Sequence, residues 1–146
     1  MSSTSRTISA SPSEVFAVLS DGWLYATWVV GASRIRAVET AWPAVGSNIS
    51  HSVGAWPLLI DDKTEVTECV PDERLRLKAR AWPGGEADVI IDIAADPAGA
   101  RVTITEDVVS GPARGIPAPI RSVLLDVRNK ETLNRLSFLA EHKARP

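Results

Sequence analysis

The chain has 146 residues, with 16 lysine or arginine and 18 aspartate or glutamate side chains, so its formal net charge is −2. This length suits a single domain spanning residues 1–146, and the balanced charge without a basic stripe argues against a nucleic-acid partner. The lone Cys69 excludes an internal disulfide, and neither a signal peptide nor a membrane-length apolar run is present, so we expect a cytoplasmic protein without a membrane span.

The first thirty residues predict a strand followed by two short helices. Thr4–Ser9 is a candidate edge strand. Ser11, Pro12 and Glu14 then form the pattern of a capping box, with proline at the first helical position, and apolar residues follow at helical spacing. This helix should end near residues 21–22, and a second short helix is predicted over Trp23–Val30.

From Ser33 to Val108 the apolar period changes to two, which predicts five or six antiparallel strands. A turn at Asp96–Gly99 joins the last two of them, because aspartate and proline suit its first two positions. Inner faces are predicted for Ile49, His51 and Val53; for Ile60, Asp62, Thr64, Val66 and Val70; and for Val102, Ile104 and Glu106, which should lie opposite Ile93, Ile91 and Val89.

The clearest hairpin joins Arg74–Trp82 to Glu86–Ile93 through the three residues Pro83, Gly84 and Gly85. Apolar and charged residues alternate on both strands, so one face should be buried and the other solvated. This register predicts two cross-strand ion pairs on the outer face, Arg80–Asp88 and Arg76–Asp92.

A proline- and glycine-rich loop over Gly111–Pro119 precedes a long helix from about Ile120 to His142. The helix carries two apolar faces. We expect the later face to contact the sheet: Leu125, Asn129, Leu133, Leu136 and Ala140. We expect the earlier face to pack on the loop or on a partner: Ile120, Val123, Leu124 and Val127.

Several of these segments together resemble a known superfamily. They are the strand-to-helix junction Ile8–Phe16, Trp23 and Trp28 in the second helix, Val45-Gly46, Leu75–Leu77, and Arg128-Asn129 with Leu133 and Leu136. The chain resembles, over nearly its whole length, the START-like (SRPBCC) superfamily, and in particular its bacterial polyketide cyclase/dehydrase-like group. The resemblance implies the α+β helix-grip fold, in which a curved antiparallel sheet of six to seven strands wraps a long C-terminal helix and encloses an apolar cavity.

The inner-face polar residues are the candidates for chemistry. His51 could serve as a general base or as a hydrogen-bond anchor, or it could be a core histidine bonded to a neighbour. We expect Asp62, Glu106 or Asn129 to be the polar group nearest to it. Asp62 and Glu106 could act as buried acids, unless a bulge turns either of them outward.

Three further residues are candidates for the wall of a ligand site. Asn129 could orient a ligand carbonyl or bond the sheet, Trp28 could close one end of the cavity or serve only packing, and Leu133 lies on the inner helix face. With only His51, His142 and Cys69 as nitrogen and sulfur ligands, no Cys/His metal site is spelled out. Nucleotide-binding motifs and the nucleophile-elbow motif do not occur, so we predict no cofactor.

Three functions remain open, because a fold does not fix a function. The first is binding of a small apolar molecule, whether lipid-like, aromatic or polyketide-like. The second is a polyketide aromatase/cyclase or dehydratase that uses His51 with Asp62 or Glu106. The third is a protein-interaction domain, including a homodimer, that uses the early apolar face of the C-terminal helix.

Overall fold

The computed structural model describes residues 2–30, 32–53, 60–81, 85–110 and 115–143. The elements, in chain order, are β1 (Ser2–Ile8), α1 (Pro12–Ser20), a 3₁₀ turn (Gly22–Leu24), α2 (Tyr25–Trp28), β2 (Ala32–Val38), β3 (Asn48–Val53), β4 (Ile60–Val70), β5 (Arg74–Ala81), β6 (Gly85–Asp96), β7 (Gly99–Ser110) and α3 (Ala118–Lys143).

The strands form one curved antiparallel sheet of seven strands in the order β1-β7-β6-β5-β4-β3-β2. β2 to β7 follow one another as a meander. β1 pairs with β7 and forms the edge of the sheet opposite to β2. With the long α3 and the two short helices near the N-terminus, this arrangement confirms the predicted α+β helix-grip class.

The first helix begins where the sequence predicts. The Ser11 hydroxyl accepts a hydrogen bond from the Glu14 backbone N–H at 3.2 Å, and the Glu14 carboxylate accepts one from the Ser11 N–H at 3.0 Å. A serine cap of this kind contributes about 1 kcal/mol to stability. The apolar face of α1 is thereby fixed against the core: Val15, Phe16, Val18 and Leu19 are buried.

The register of the β6–β7 pair agrees with the prediction. Val102, Ile104 and Glu106 lie opposite Ile93, Ile91 and Val89. The turn between the strands is fixed by its own chemistry, because the Asp96 side chain accepts a hydrogen bond from the Ala98 N–H at 2.9 Å.

The predicted register of the β5–β6 hairpin is wrong by two residues. Ala81 pairs with Gly85, so residues 82–84 rather than 83–85 connect the strands. Arg80 therefore lies opposite Glu86, not Asp88, and Arg76 lies opposite Ile90, not Asp92. A shift of two residues keeps every side chain on its face, and the predicted inner residues Leu75, Leu77 and Ile91 are buried.

The charged residues of this hairpin form ion pairs on the solvated face with partners other than those predicted. Nε of Arg74 lies 2.6 Å from Oδ1 of Asp92, directly across the ladder. Nε of Arg76 lies 2.9 Å from Oδ1 of Asp88, diagonally across it. The arginine side chains remain exposed to solvent, which screens each pair, so their contribution to stability is small.

The C-terminal helix α3 packs mainly against β1, β7 and the two N-terminal helices. Its later face is buried at Asn129, Leu133, Leu136 and Ala140, as predicted. The Asp126 carboxylate accepts hydrogen bonds from Ser2 and Thr4 of β1, and the Glu141 carboxylate accepts one from the Ser9 N–H at 3.0 Å.

The earlier apolar face of α3 is more than half exposed at Ile120, Val123, Leu124 and Val127. We expected this face to pack on the preceding loop or on a partner, and residues 111–114 of that loop lie outside the described residues. Within the described ranges, none of the helices combines the length and the apolar character needed to cross a bilayer.

Candidate functional site

A buried histidine lies on the inner face of the sheet. His51 of β3 is fully buried, in phase with the buried Ile49. Its Nε2 atom lies 2.8 Å from Oγ1 of Thr64 on the neighbouring strand β4. Thr64 is thus a hydrogen-bonded neighbour of His51 that the sequence did not suggest.

Thr64 also bonds a tyrosine from the N-terminal region. The hydroxyl of Tyr25, in α2, lies 2.9 Å from Thr64 Oγ1. Because a hydroxyl both donates and accepts, Thr64 can link the phenol and the imidazole in one hydrogen-bonded chain. We call Tyr25, Thr64 and His51 the buried polar cluster.

Two tryptophan rings pack against the tyrosine of the buried polar cluster. The Tyr25 ring packs edge-on against Trp28 at a centroid distance of 5.3 Å and against Trp42 at 6.4 Å. The His51 ring lies 5.5 Å from the Tyr25 ring. These side chains are mostly aromatic and carry only a few polar atoms, a composition typical of sites for planar or apolar small molecules.

Burial raises the pKa of Tyr25 to about 12, against the opposing effect of the Thr64 hydrogen bond. The charge of Glu106 raises this pKa further and that of Arg128 lowers it, so both charges lie close enough to act on the phenol. At neutral pH the phenol therefore keeps its proton and can donate a hydrogen bond or the proton itself.

Glu106 and Arg128 form an ion pair between β7 and α3. Glu106 faces inward, as the strand phase predicts, and its carboxylate contacts the Arg128 guanidinium. The side chain of Glu106 is only 4% exposed, whereas that of Arg128 is 35% exposed. The arginine thus reaches from the rim of the helix and balances the charge of a buried carboxylate.

Trp28 and Asn129 bring two more polar atoms into this interior. Trp28 is 2% exposed and Asn129 3% exposed. Neither Trp28 Nε1 nor Asn129 Nδ2 has a hydrogen-bond partner among the described residues. By contrast, Nε1 of the buried Trp42 donates to the Leu19 carbonyl at 3.1 Å.

The other two candidate residues have a less defined place. Asp62 lies opposite His51 in the backbone register of β3 and β4, but its side chain is outside the described part of the chain. Leu133 is buried on the inner face of α3. The roles of all six candidates in binding or catalysis remain predictions.

Sequence reasoning missed Tyr25 and Arg128, and it did not assign Thr64 a polar role. Tyr25 precedes Trp28 by three residues, a helical spacing that places both on one face, and this signal could have identified it. Thr64 and Val66 lie on the inner face as predicted, whereas the same prediction is wrong for Val70, which is exposed because an irregularity between Val66 and Glu68 shifts the phase of β4. The pairing of Arg128 with Glu106 has no local sequence signal, because the two residues lie 22 positions apart on different elements.

Residues 2–136 match the model of the family described as "Polyketide cyclase / dehydrase and lipid transport". This match covers most of the sequence, and the chain therefore belongs to this family. None of the curated proteins matches the sequence.

Solved structures share the fold at low sequence identity. Protein CV1439 from Chromobacterium violaceum is 22% identical with a TM-score of 0.70, covering 95% of this chain and 96% of that one. The di-domain ARO/CYC StfQ of the steffimycin biosynthetic pathway is 11% identical with a TM-score of 0.73, covering 97% of this chain and 50% of that one. DynU16, from the dynemicin biosynthetic locus, is 19% identical with a TM-score of 0.66, covering 96% of this chain and 46% of that one.

Proposed function

We propose that the protein binds a small, mostly apolar molecule between the sheet and α3, and that the buried polar cluster orients it. One observation carries this proposal: polar side chains from separate elements meet inside an otherwise apolar core. Burying such groups is costly, and aliphatic side chains would stabilise a purely structural core better. A few polar groups among apolar and aromatic side chains are instead typical of a small-molecule site.

The aromatic side chains and the family description together favour one class of ligand. Tyr25, Trp28 and Trp42 present three aromatic rings within one neighbourhood, which suits stacking or edge contacts with a planar polycycle. The family description includes both polyketide cyclases and lipid transport, and StfQ is a di-domain ARO/CYC. We therefore favour an aromatic, polyketide-like ligand over an aliphatic lipid.

Native mass spectrometry of the protein purified from its own host tests the proposal directly, because a bound molecule would add a discrete mass. Isothermal titration with 1,8-dihydroxyanthraquinone and with dodecanoic acid then compares the two ligand classes. We expect binding of the anthraquinone, weakened in Tyr25→Phe and unchanged in Arg76→Ala, whose side chain lies on the outer face. Absence of a bound mass together with absence of binding to either probe would refute the proposal.

A second candidate function is cyclisation of a poly-β-ketone, and the Tyr25–Thr64–His51 chain of hydrogen bonds favours it. In such a reaction His51 would take the proton from a carbon between two carbonyls. The resulting enolate carbon would attack another, more distant carbonyl of the same molecule. The alkoxide formed there would take a proton from the Tyr25 phenol. Transfer of the proton back from His51 to the phenolate, followed by loss of water, would complete the condensation.

One variant separates binding from catalysis. If the protein only binds, His51→Ala should weaken ligand affinity by about two- to twelvefold, the effect of one hydrogen bond. If it catalyses cyclisation, the same change should leave binding nearly intact and lower turnover of a poly-β-ketone thioester by about 10²–10⁴. A wild-type protein that binds but does not turn over this substrate would exclude the cyclase function.

A further inference from the structure

Two buried polar atoms that have no hydrogen-bond partner among the described residues are both donors as placed. Trp28 Nε1 and Asn129 Nδ2 are buried, and neither bonds any described residue. An indole nitrogen carries one hydrogen and can only donate, and an amide nitrogen also only donates. Donors buried without an acceptor are unfavourable, so their presence indicates that something else supplies the acceptor.

A neighbouring tryptophan provides the internal comparison. Trp28 and Trp42 are both buried, and both pack edge-on against the Tyr25 ring. The fold itself uses the Trp42 N–H, which donates to the Leu19 carbonyl at 3.1 Å. The Trp28 N–H has no corresponding acceptor among the described residues.

Trp28 contacts the buried polar cluster through the Tyr25 ring, and Asn129 lies on α3, which packs against α2. Shortly after Trp28, the Val30 N–H lies 3.5 Å from Oγ1 of Thr132, about one helical turn beyond Asn129 in α3. The residue before Asn129 is Arg128, whose charge acts on Tyr25 together with that of Glu106. Trp28 and Asn129 are thus buried residues of two helices, α2 and α3, that contact each other close to these positions.

We infer that the ligand presents a carbonyl oxygen to Trp28 Nε1–H and Asn129 Nδ2–H, so that the site selects ketone-bearing polycycles over the corresponding hydrocarbons. This inference rests on the proposed binding function and specifies its chemistry. A ketone oxygen has two lone pairs and no hydrogen, so it can accept from both donors at once. A hydrocarbon of the same shape would leave both donors buried and unbonded.

Fluorenone and fluorene form a matched pair of probes, because they share a tricyclic frame and differ at the carbonyl. By isothermal titration we expect the wild-type protein to bind fluorenone more tightly than fluorene by about two- to twelvefold for each hydrogen bond formed. Trp28→Phe and Asn129→Leu should each reduce this preference by about that factor and leave fluorene affinity nearly unchanged. Trp42→Phe is the control, since its N–H is already used within the fold, and it should keep the preference.

A measurement on the wild-type protein alone guards against variants that fail to fold. The infrared carbonyl stretch of bound fluorenone should move to lower wavenumber than in an apolar solvent, because hydrogen bonding weakens the C=O bond. Equal affinity for the two probes with an unshifted stretch would overturn the inference and leave the proposed binding function standing. Failure of the wild-type protein to bind either fluorenone or fluorene would also overturn the inference, whereas the proposed binding function is refuted only if the bound mass and the binding of the anthraquinone and of dodecanoic acid are absent as well.

Discussion

Nε2 of His51 lies 2.8 Å from Oγ1 of Thr64, although the strand register places His51 opposite Asp62 and Thr64 opposite Ile49. The contact is therefore diagonal across β3 and β4, within the reach of neighbouring side chains on one face. The same hydroxyl lies 2.9 Å from the Tyr25 phenol. One threonine thus joins a helix to two strands through a single oxygen atom.

Replacing Thr64 with valine should destabilise the protein by about 1–3 kcal/mol, because the variant keeps the shape and removes the hydroxyl that bonds two buried groups. Urea unfolding followed by circular dichroism measures the change. Thr67→Val is the matched control on the exposed face of the same strand, and we expect its effect to stay within about 0.5 kcal/mol. Equal stability of the two variants would contradict the bonding described for Thr64.

Tyr25 is the single tyrosine of the chain, so its ionisation can be followed by absorbance near 295 nm. Burial raises its pKa to about 12, and we expect little tyrosinate signal in the folded protein at pH 10, where a solvated tyrosine is half ionised. Tyr25→Phe should abolish the signal altogether. A half-ionised phenol at pH 10 in the folded protein would show that the ring is not buried.

The same shift in pKa affects stability at alkaline pH. The folded protein holds the phenolic proton more tightly than the unfolded chain, whose pKa is about 10. This stabilising contribution is complete below pH 10 and is lost as the pH rises from 10 towards about 12. Urea unfolding at pH 9, 10 and 11 should therefore show a steeper loss of stability in the wild-type protein than in Tyr25→Phe.

Arg128→Met should destabilise the protein by about 1–3 kcal/mol, because it leaves the buried Glu106 carboxylate without its charge partner. We expect less than the cost of breaking a fully buried pair, since the Arg128 side chain is 35% exposed. The double variant Glu106→Gln, Arg128→Met should recover part of the loss, and a double-mutant cycle measures the coupling. Additive effects of the two single variants would mean that the pair has no measurable coupling.

Two leucines of α3 provide a matched test of the helix phase. Leu136 is 0% exposed and Leu124 is 56% exposed. Leu136→Ala should cost about 2–5 kcal/mol through lost packing and a residual cavity. Leu124→Ala, at an exposed site of the same helix, should change stability by less than about 0.5 kcal/mol. Similar costs for both would indicate a different rotation of α3.

The sequence predicted strand faces better than strand registers. At the β6–β7 turn, Asp96 and Pro97 define one frame, and the predicted pairs are the observed ones. At the β5–β6 hairpin, the run Trp82-Pro83-Gly84-Gly85 fits a three-residue connection in two frames. The frames differ by two residues in register, which leaves the hydrophobic alternation unchanged. Alternation therefore could not distinguish them.

The site was predictable only as far as single elements define it. Strand phase identified His51 and Glu106 as inward-facing, and helix phase identified Asn129 and Leu133. Which of these residues meet depends on contacts between elements distant in the chain, such as Tyr25 with Thr64. Local periodicity holds no information on those contacts, so the partners of His51 and Glu106 emerged only from the structure.

The position of β1 beside β7 has a consequence for how the protein is made. Ser2 pairs with Glu106 and Ile8 with Ala100, so β1 has its neighbour in the sheet about a hundred residues later in the chain. The Ser2 and Thr4 hydroxyls also donate hydrogen bonds to Asp126 of α3, which is synthesised after β7. During synthesis, the meander from β2 to β6 can pair locally as it emerges. β1, in contrast, can take its place in the sheet only after β7 has been synthesised.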